Sequence, residues 1–131
     1  MSASSEQDRR RHIRIPLNHT ILAKTPNNTT FFGITSDICP CGIGFFSDNP
    51  LPQGASVEVA LELEDPEHHY HDFHLKGHVV HCIDTMENGF HIGVYLNRPS
   101  AEYQQVLDKM TAAMAQTSAG KKNKQLTVGR N

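Results

Sequence analysis

Residues 56–64 constrain the fold more than any other stretch. Val57, Val59, Leu61 and Leu63 alternate with Glu58, Ala60, Glu62 and Glu64. A period of two sends the apolar set to one face of an extended chain and the polar set to the other. The stretch therefore reads as a strand with one dry and one wet face.

Other segments repeat the theme more loosely. Residues 21–24 form a short strand that ends at the turn-forming Pro26-Asn27-Asn28. Residues 29–36 and 43–47 are rich in β-branched and aromatic side chains. Residues 72–84 place Phe73, Leu75, Val79 and Ile83 on one side, and Phe90, Ile92, Val94 and Leu96 do the same after Glu87-Asn88-Gly89. The last two segments pair as a hairpin with Ile83 opposite Phe90, a register that also sets Cys82 opposite His91.

After Pro99 the period becomes helical. Ser100 is the expected N-cap, Glu102 lies in the first turn, and Tyr103, Val106, Leu107, Met110 and Met114 form an apolar stripe. No strand-helix-strand alternation signals a parallel sheet. Six turn-separated strands and one closing helix give an all-β fold, a six-stranded antiparallel (split) β-barrel with a C-terminal amphipathic α-helix. Its expected bounds are 9–116, between a disordered N-terminus at 1–8 and a flexible basic tail at 117–131.

The net charge of −2 conceals an uneven distribution. Arg9, Arg10, Arg11 and Arg14 crowd one end, and Lys121, Lys122, Lys124 and Arg130 the other. Residues 15–120 hold four basic side chains against twelve acidic ones. A body this acidic argues against a uniform nucleic-acid-binding face. At 131 residues, 37% hydrophobic and 20% charged, the chain suits one soluble domain. Without an apolar membrane span or secretion signal, the expectation is a cytoplasmic protein with no membrane insertion, whose Cys39, Cys41 and Cys82 are reduced.

Two segments carry binding chemistry. In the arm 9–14, guanidinium groups can fork onto phosphate oxygens, meet the O6/N7 edge of guanine, or stack on a base. In the break 37–42, Asp37 offers a carboxylate that can accept from the N1 and N2 edge of a guanine. Gly42 there supplies either a positive φ or room for close approach of a ligand.

Taken together these segments resemble the PilZ domain family, receptors for the bacterial second messenger cyclic di-GMP. Arg10 and Arg14 match an Arg-x-x-x-Arg pair before the first barrel strand. Asp37 and Gly42 match an Asp/Asn-x-Ser-x-x-Gly turn, and Gly93-Val94-Tyr95-Leu96 resembles the closing strand. The resemblance implies that Arg10 and Arg14 grip phosphate and the guanine Hoogsteen edge while Asp37 holds another guanine edge. It makes Arg9 a determinant of whether one ligand or an intercalated pair binds, and Arg11 a bystander. The ligand-binding set is thus Arg9, Arg10, Arg14, Asp37, Cys39 and Gly42. Cys39 departs from the pattern, because a thiol replaces the hydroxyl at a cost on the order of 1 kcal/mol. Cys41 stands where the family often has Gly, and Leu96 where it often has Phe.

The resulting expectation is a non-enzymatic receptor with no cofactor. Its arm orders over the barrel when cyclic di-GMP binds, and it signals to a downstream protein partner. The alternative is a PilZ-like interaction module that does not bind nucleotide. No metal site is expected, although seven of nine histidines fall between His68 and His91: His74 and His78 share a face but lie about 13 Å apart in a strand, and Cys82 with His91 gives two ligands where structural zinc takes four. Ser36 and Ser47 lack the His and Asp partners of a nucleophile, so no catalytic residues are expected.

Overall fold

The computed structural model describes residues 14–128, with side chains as far as residue 115. Seven strands precede one helix: β1 (Ile15–Pro16), β2 (Thr20–Lys24), β3 (Thr30–Cys39), β4 (Gly42–Ser47), β5 (Ser56–Glu64), β6 (Tyr70–Asp84), β7 (Phe90–Leu96) and α1 (Ala101–Val128). Every pairing is antiparallel, in the order β1-β3-β2-β5-β6-β7-β4. Pairing of β4 back onto β3 closes the barrel around six strands, which removes the free sheet edges that invite aggregation. The short β1 continues the line of β2 along the same edge of β3, with Ile15 opposite Ile38 and Pro16 opposite Asp37.

The alternation in β5 works as the sequence implies. Val57, Val59, Leu61 and Leu63 are buried, and they join Ile21, Phe45, Ile92 and Val94 in one core. α1 closes that core. The Ser100 hydroxyl caps its first turn by accepting from the Tyr103 amide at 3.1 Å, and Tyr103, Val106 and Leu107 are buried. Three such side chains are worth roughly 5–9 kcal/mol of apolar burial, an upper figure. That exceeds anything intrinsic propensity gives, so packing holds this end of the helix in place. Met114, the last member of the expected stripe, is 39% exposed. The backbone remains helical to Val128, past the expected boundary at residue 116.

Two β-bulges alter the simple alternation. One lies between Thr35 and Asp37 in β3, the other between Val79 and His81 in β6. The second corrects the expected hairpin. Beyond the bulge Val79 pairs with Val94, the register expected from sequence, but on the turn side Ile83 faces His91 and Asp84 faces Phe90. One extra residue flips every later side chain. Ile83 therefore points outward at 56% exposure, and Cys82 pairs with Ile92 instead of His91.

Candidate ligand-binding site

The break expected at 37–42 is narrower than the sequence suggests. β3 continues through Cys39 and β4 begins at Gly42, so only Pro40 and Cys41 turn the chain. Asp37 and Gly42 are strand residues. Gly42 does not adopt the positive φ expected as one reason for its presence, since the positive-φ glycines among the described residues are Gly54 and Gly89. Its lack of a side chain has another cause: a Cβ would stand 3.0 Å from the Val94 carbonyl oxygen of β7. The close approach is made by a neighbouring strand.

The pairings align one row of residues across five strands, running Pro16, Asp37, Gly44, Gly93, His81. At its centre two paired glycines leave bare backbone, a trough in the barrel wall. Side chains converge on it from both ends. A Cβ at Gly44 would meet Asp37 Oδ1 at 2.8 Å, Ser36 Oγ at 2.9 Å and His91 Nε2 at 3.2 Å, while the His81 ring lies across Gly93. The β3 bulge is what brings successive residues Ser36 and Asp37 to the same face, the re-aiming for which bulges are used. Glycine inside a strand is the sequence signal for such a site.

Of the expected ligand-binding residues, Arg9 and Arg10 lie outside the described residues, as does the rest of the arm before Arg14. Arg14 and Asp37, 23 positions apart, meet at the edge of the trough, with Nη1 donating to Oδ1 at 3.2 Å. Arg14 is largely exposed and Asp37 partly so. Cys39 is buried, its Sγ 3.6 Å from Cys41 Sγ, and its carbonyl accepts from the Tyr103 hydroxyl at 3.3 Å. Burial and the contact with Cys39 push the Cys41 thiol up to about 11, so the Cys41 sulfur is protonated at neutral pH.

Ser36, His81 and His91 are the functional candidates that sequence reasoning missed. Ser36 Oγ lies 2.9 Å from His91 Nε2, and His91 Nδ1 lies 3.0 Å from His81 Nε2. The two imidazoles stack at 5.2 Å, and Phe46 packs edge-on against His91. Ser36 thus has the histidine partner that the sequence did not reveal, because the pair is 55 residues apart and depends on the bulges. Burial and the charge of His81 lower the proton affinity of His91. Beside Ser36 the surface opens into a depression of about 460 Å³, lined by Pro16, Leu17, Ile34, Ser36 and Phe46 among others.

A second group of histidines lies around Asp65. His71 Nε2 donates to Asp65 Oδ2 at 2.8 Å, and the other Asp65 oxygen accepts from the Glu67 and His69 amides. These bonds hold the Asp65 carboxyl well below the usual carboxylate range, and His71 is raised by Asp65 and Glu102. Asp65, Glu67 and His69 have metal-like spacing, but Asp65 is already committed to this turn.

The family model described as the PilZ domain matches residues 8–113. A search of curated protein sequences finds no relative of significant similarity. Among solved structures, the Bacillus subtilis inhibitor of motility MotI/DgrA aligns with TM-score 0.67 at 15% identity, over 82% of this chain and 52% of that one. The K. pneumonia MrkH complex with c-di-GMP aligns at 0.62 and 14% identity, over 86% and 55%. The Escherichia coli YcgR PilZ domain with c-di-GMP aligns at 0.57 and 17%, over 88% and 98%. The chain spans about half the length of the first two of these neighbours. No helix among the described residues is long and apolar enough to cross a membrane. With a family model covering most of its length and the same barrel in its structural neighbours, this chain belongs to the PilZ domain family.

Proposed function

We propose that the chain is a cytoplasmic receptor that binds cyclic di-GMP without turning it over, orders its Arg9–Arg14 arm over the barrel, and passes the signal to a protein partner. The observation that carries this reading is the meeting of Arg14 and Asp37 at 3.2 Å beside the glycine trough. One supplies the guanidinium fork for phosphate or the guanine Hoogsteen edge, the other the acceptor for guanine N1 and N2. Solved neighbours MrkH and YcgR carry c-di-GMP, which supports the ligand class. The two groups satisfy each other. An exposed pair of this kind is worth about 0–1 kcal/mol, so a ligand that offers phosphate to Arg14 and guanine N–H donors to Asp37 exchanges them at little cost. Ordering of the arm around the ligand is then a disorder-to-order switch.

Calorimetric titration of the full chain with cyclic di-GMP tests the proposal, with Arg10→Ala, Arg14→Ala and Asp37→Ala as variants. Wild type is expected to bind, and each variant to bind at least tenfold more weakly. Absence of wild-type binding at tens of micromolar sinks the assignment.

One observation favours a second reading, a PilZ interaction module without nucleotide. Position 39 presents no hydroxyl, and its thiol is buried. If Cys39→Ser binds cyclic di-GMP where wild type does not, that reading stands.

A further inference from the structure

We propose that Ser36, His81 and His91 form a second wall of the cyclic di-GMP site, with Ser36 supplying the hydroxyl that position 39 lacks and His91, stacked on His81, taking up a proton when the phosphodiester binds. The inference rests on the reading above that the trough binds cyclic di-GMP.

Three observations carry it. First, the β3 bulge sets Ser36 Oγ and Asp37 Oδ1 within 3 Å of one point above Gly44. A guanine edge that reaches the carboxylate therefore also reaches the hydroxyl. Second, Ser36 is oriented by a partner that can change its role. With His91 neutral at Nε2, the hydroxyl donates to the ring and its lone pairs remain free for ligand N–H groups. With Nε2 protonated, the ring donates to Ser36, whose own O–H is then free to donate a hydrogen bond to a phosphate oxygen. Third, His81 continues the chain at 3.0 Å and lies on the bare backbone of Gly93. Both rings thus border the trough.

The groups facing His91 come from every packed element. Arg14 precedes β1, Asp37 lies on β3, His81 on β6, and β4 contributes the uncharged Phe46. In the free protein burial, His81 and Arg14 disfavour the imidazolium, and Asp37 alone favours it. A bound phosphodiester adds negative charge and draws Arg14 toward itself. Both changes favour protonation, so binding takes up a proton and affinity rises as pH falls through the histidine range.

The experiment measures cyclic di-GMP affinity of the full chain at about pH 8 and about pH 6, in buffers of different ionisation enthalpy so that proton uptake is read directly. Wild type is expected to bind roughly three- to tenfold more tightly at the lower pH, with net proton uptake. Ser36→Ala is expected to weaken binding by about three- to tenfold at both, the loss of one hydrogen bond. Ser36→Gly serves the same test should the alanine variant fold poorly. The double variant His81→Gln/His91→Gln keeps hydrogen-bonding groups but cannot titrate, and is expected to lose the pH dependence and the proton uptake; either one persisting in it overturns the inference. Wild-type affinity in both Ser36 variants, or pH-independent wild-type binding without proton uptake, overturns the inference and leaves the receptor reading standing. Wild-type protein that binds no cyclic di-GMP overturns both.

Discussion

Replacing Gly44 by alanine separates the trough from the scaffold that holds it. The new methyl would meet Asp37 Oδ1 at 2.8 Å, Ser36 Oγ at 2.9 Å and His91 Nε2 at 3.2 Å. All three are ends of side chains that can rotate away, and the backbone at Gly44 is not in the left-handed region. The fold loses little, and the restricted unfolded chain returns about 0.4–1 kcal/mol. Stability is expected to stay within ~1 kcal/mol of wild type. Binding is different, because displaced Asp37 loses charge-assisted hydrogen bonds worth about 1.5–3 kcal/mol, or roughly ten- to a hundredfold in affinity. Gly77→Ala is the opposite control. Its Cβ would lie 2.1 Å from the Tyr95 carbonyl oxygen and 2.9 Å from the carbonyl carbon, so β6 and β7 must separate, at a cost of about 3 kcal/mol or more. Urea unfolding and cyclic di-GMP calorimetry on both variants read the two effects. Gly44→Ala protein that binds as wild type, or that is destabilised as much as Gly77→Ala, refutes the reasoning.

Two further outcomes are expected. The Asp65–His71 pair should contribute to stability in a bounded pH window. The His71 share is complete below about 6.5 and lost as pH rises through its raised folded value; the Asp65 share is present above about 3.9 and lost as pH falls through its depressed one. A double-mutant cycle with Asp65→Asn and His71→Gln, unfolded in urea from pH 3 to 9, should show coupling greatest between about pH 4 and 6.5, and coupling that is flat with pH contradicts it. Tyr103→Phe removes the hydroxyl that donates to the Cys39 carbonyl, and a thermal melt should show a loss of about 0.5–1.5 kcal/mol, or several degrees in Tm.

The barrel was legible because β5 and β7 obey period two without interruption, and Ser100 and Tyr103 announce the helix by cap and stripe. What escaped was local and geometric. A bulge leaves the count of apolar residues unchanged while moving the alternation by one, so Ile83 read as core from sequence and stands in solvent in the structure. The same shift hid His81 and His91, whose neighbours cannot be named until the register is known. Asp37 was legible as a member of a spaced motif. Ser36, its immediate neighbour, has no His or Asp partner legible in the sequence; simple alternation puts it on the face opposite Asp37, and only the β3 bulge suspends that rule.

Cys39 takes on a different meaning in this frame. If its thiol faced the ligand, replacing a hydroxyl by sulfur would remove one hydrogen bond and nothing else. Instead the sulfur is buried against Cys41, and the carbonyl of the same residue anchors Tyr103 of α1. A buried hydroxyl at this position would need a partner of its own, whereas a thiol is among the side chains most tolerant of burial. The residue therefore serves the junction between barrel and helix, and under the proposed reading the hydroxyl beside Asp37 is that of Ser36. Asp37 and Ser36 stand two and three residues along β3 from the carbonyl that holds the helix, so the edge of the trough and the anchor of α1 share one short stretch of strand.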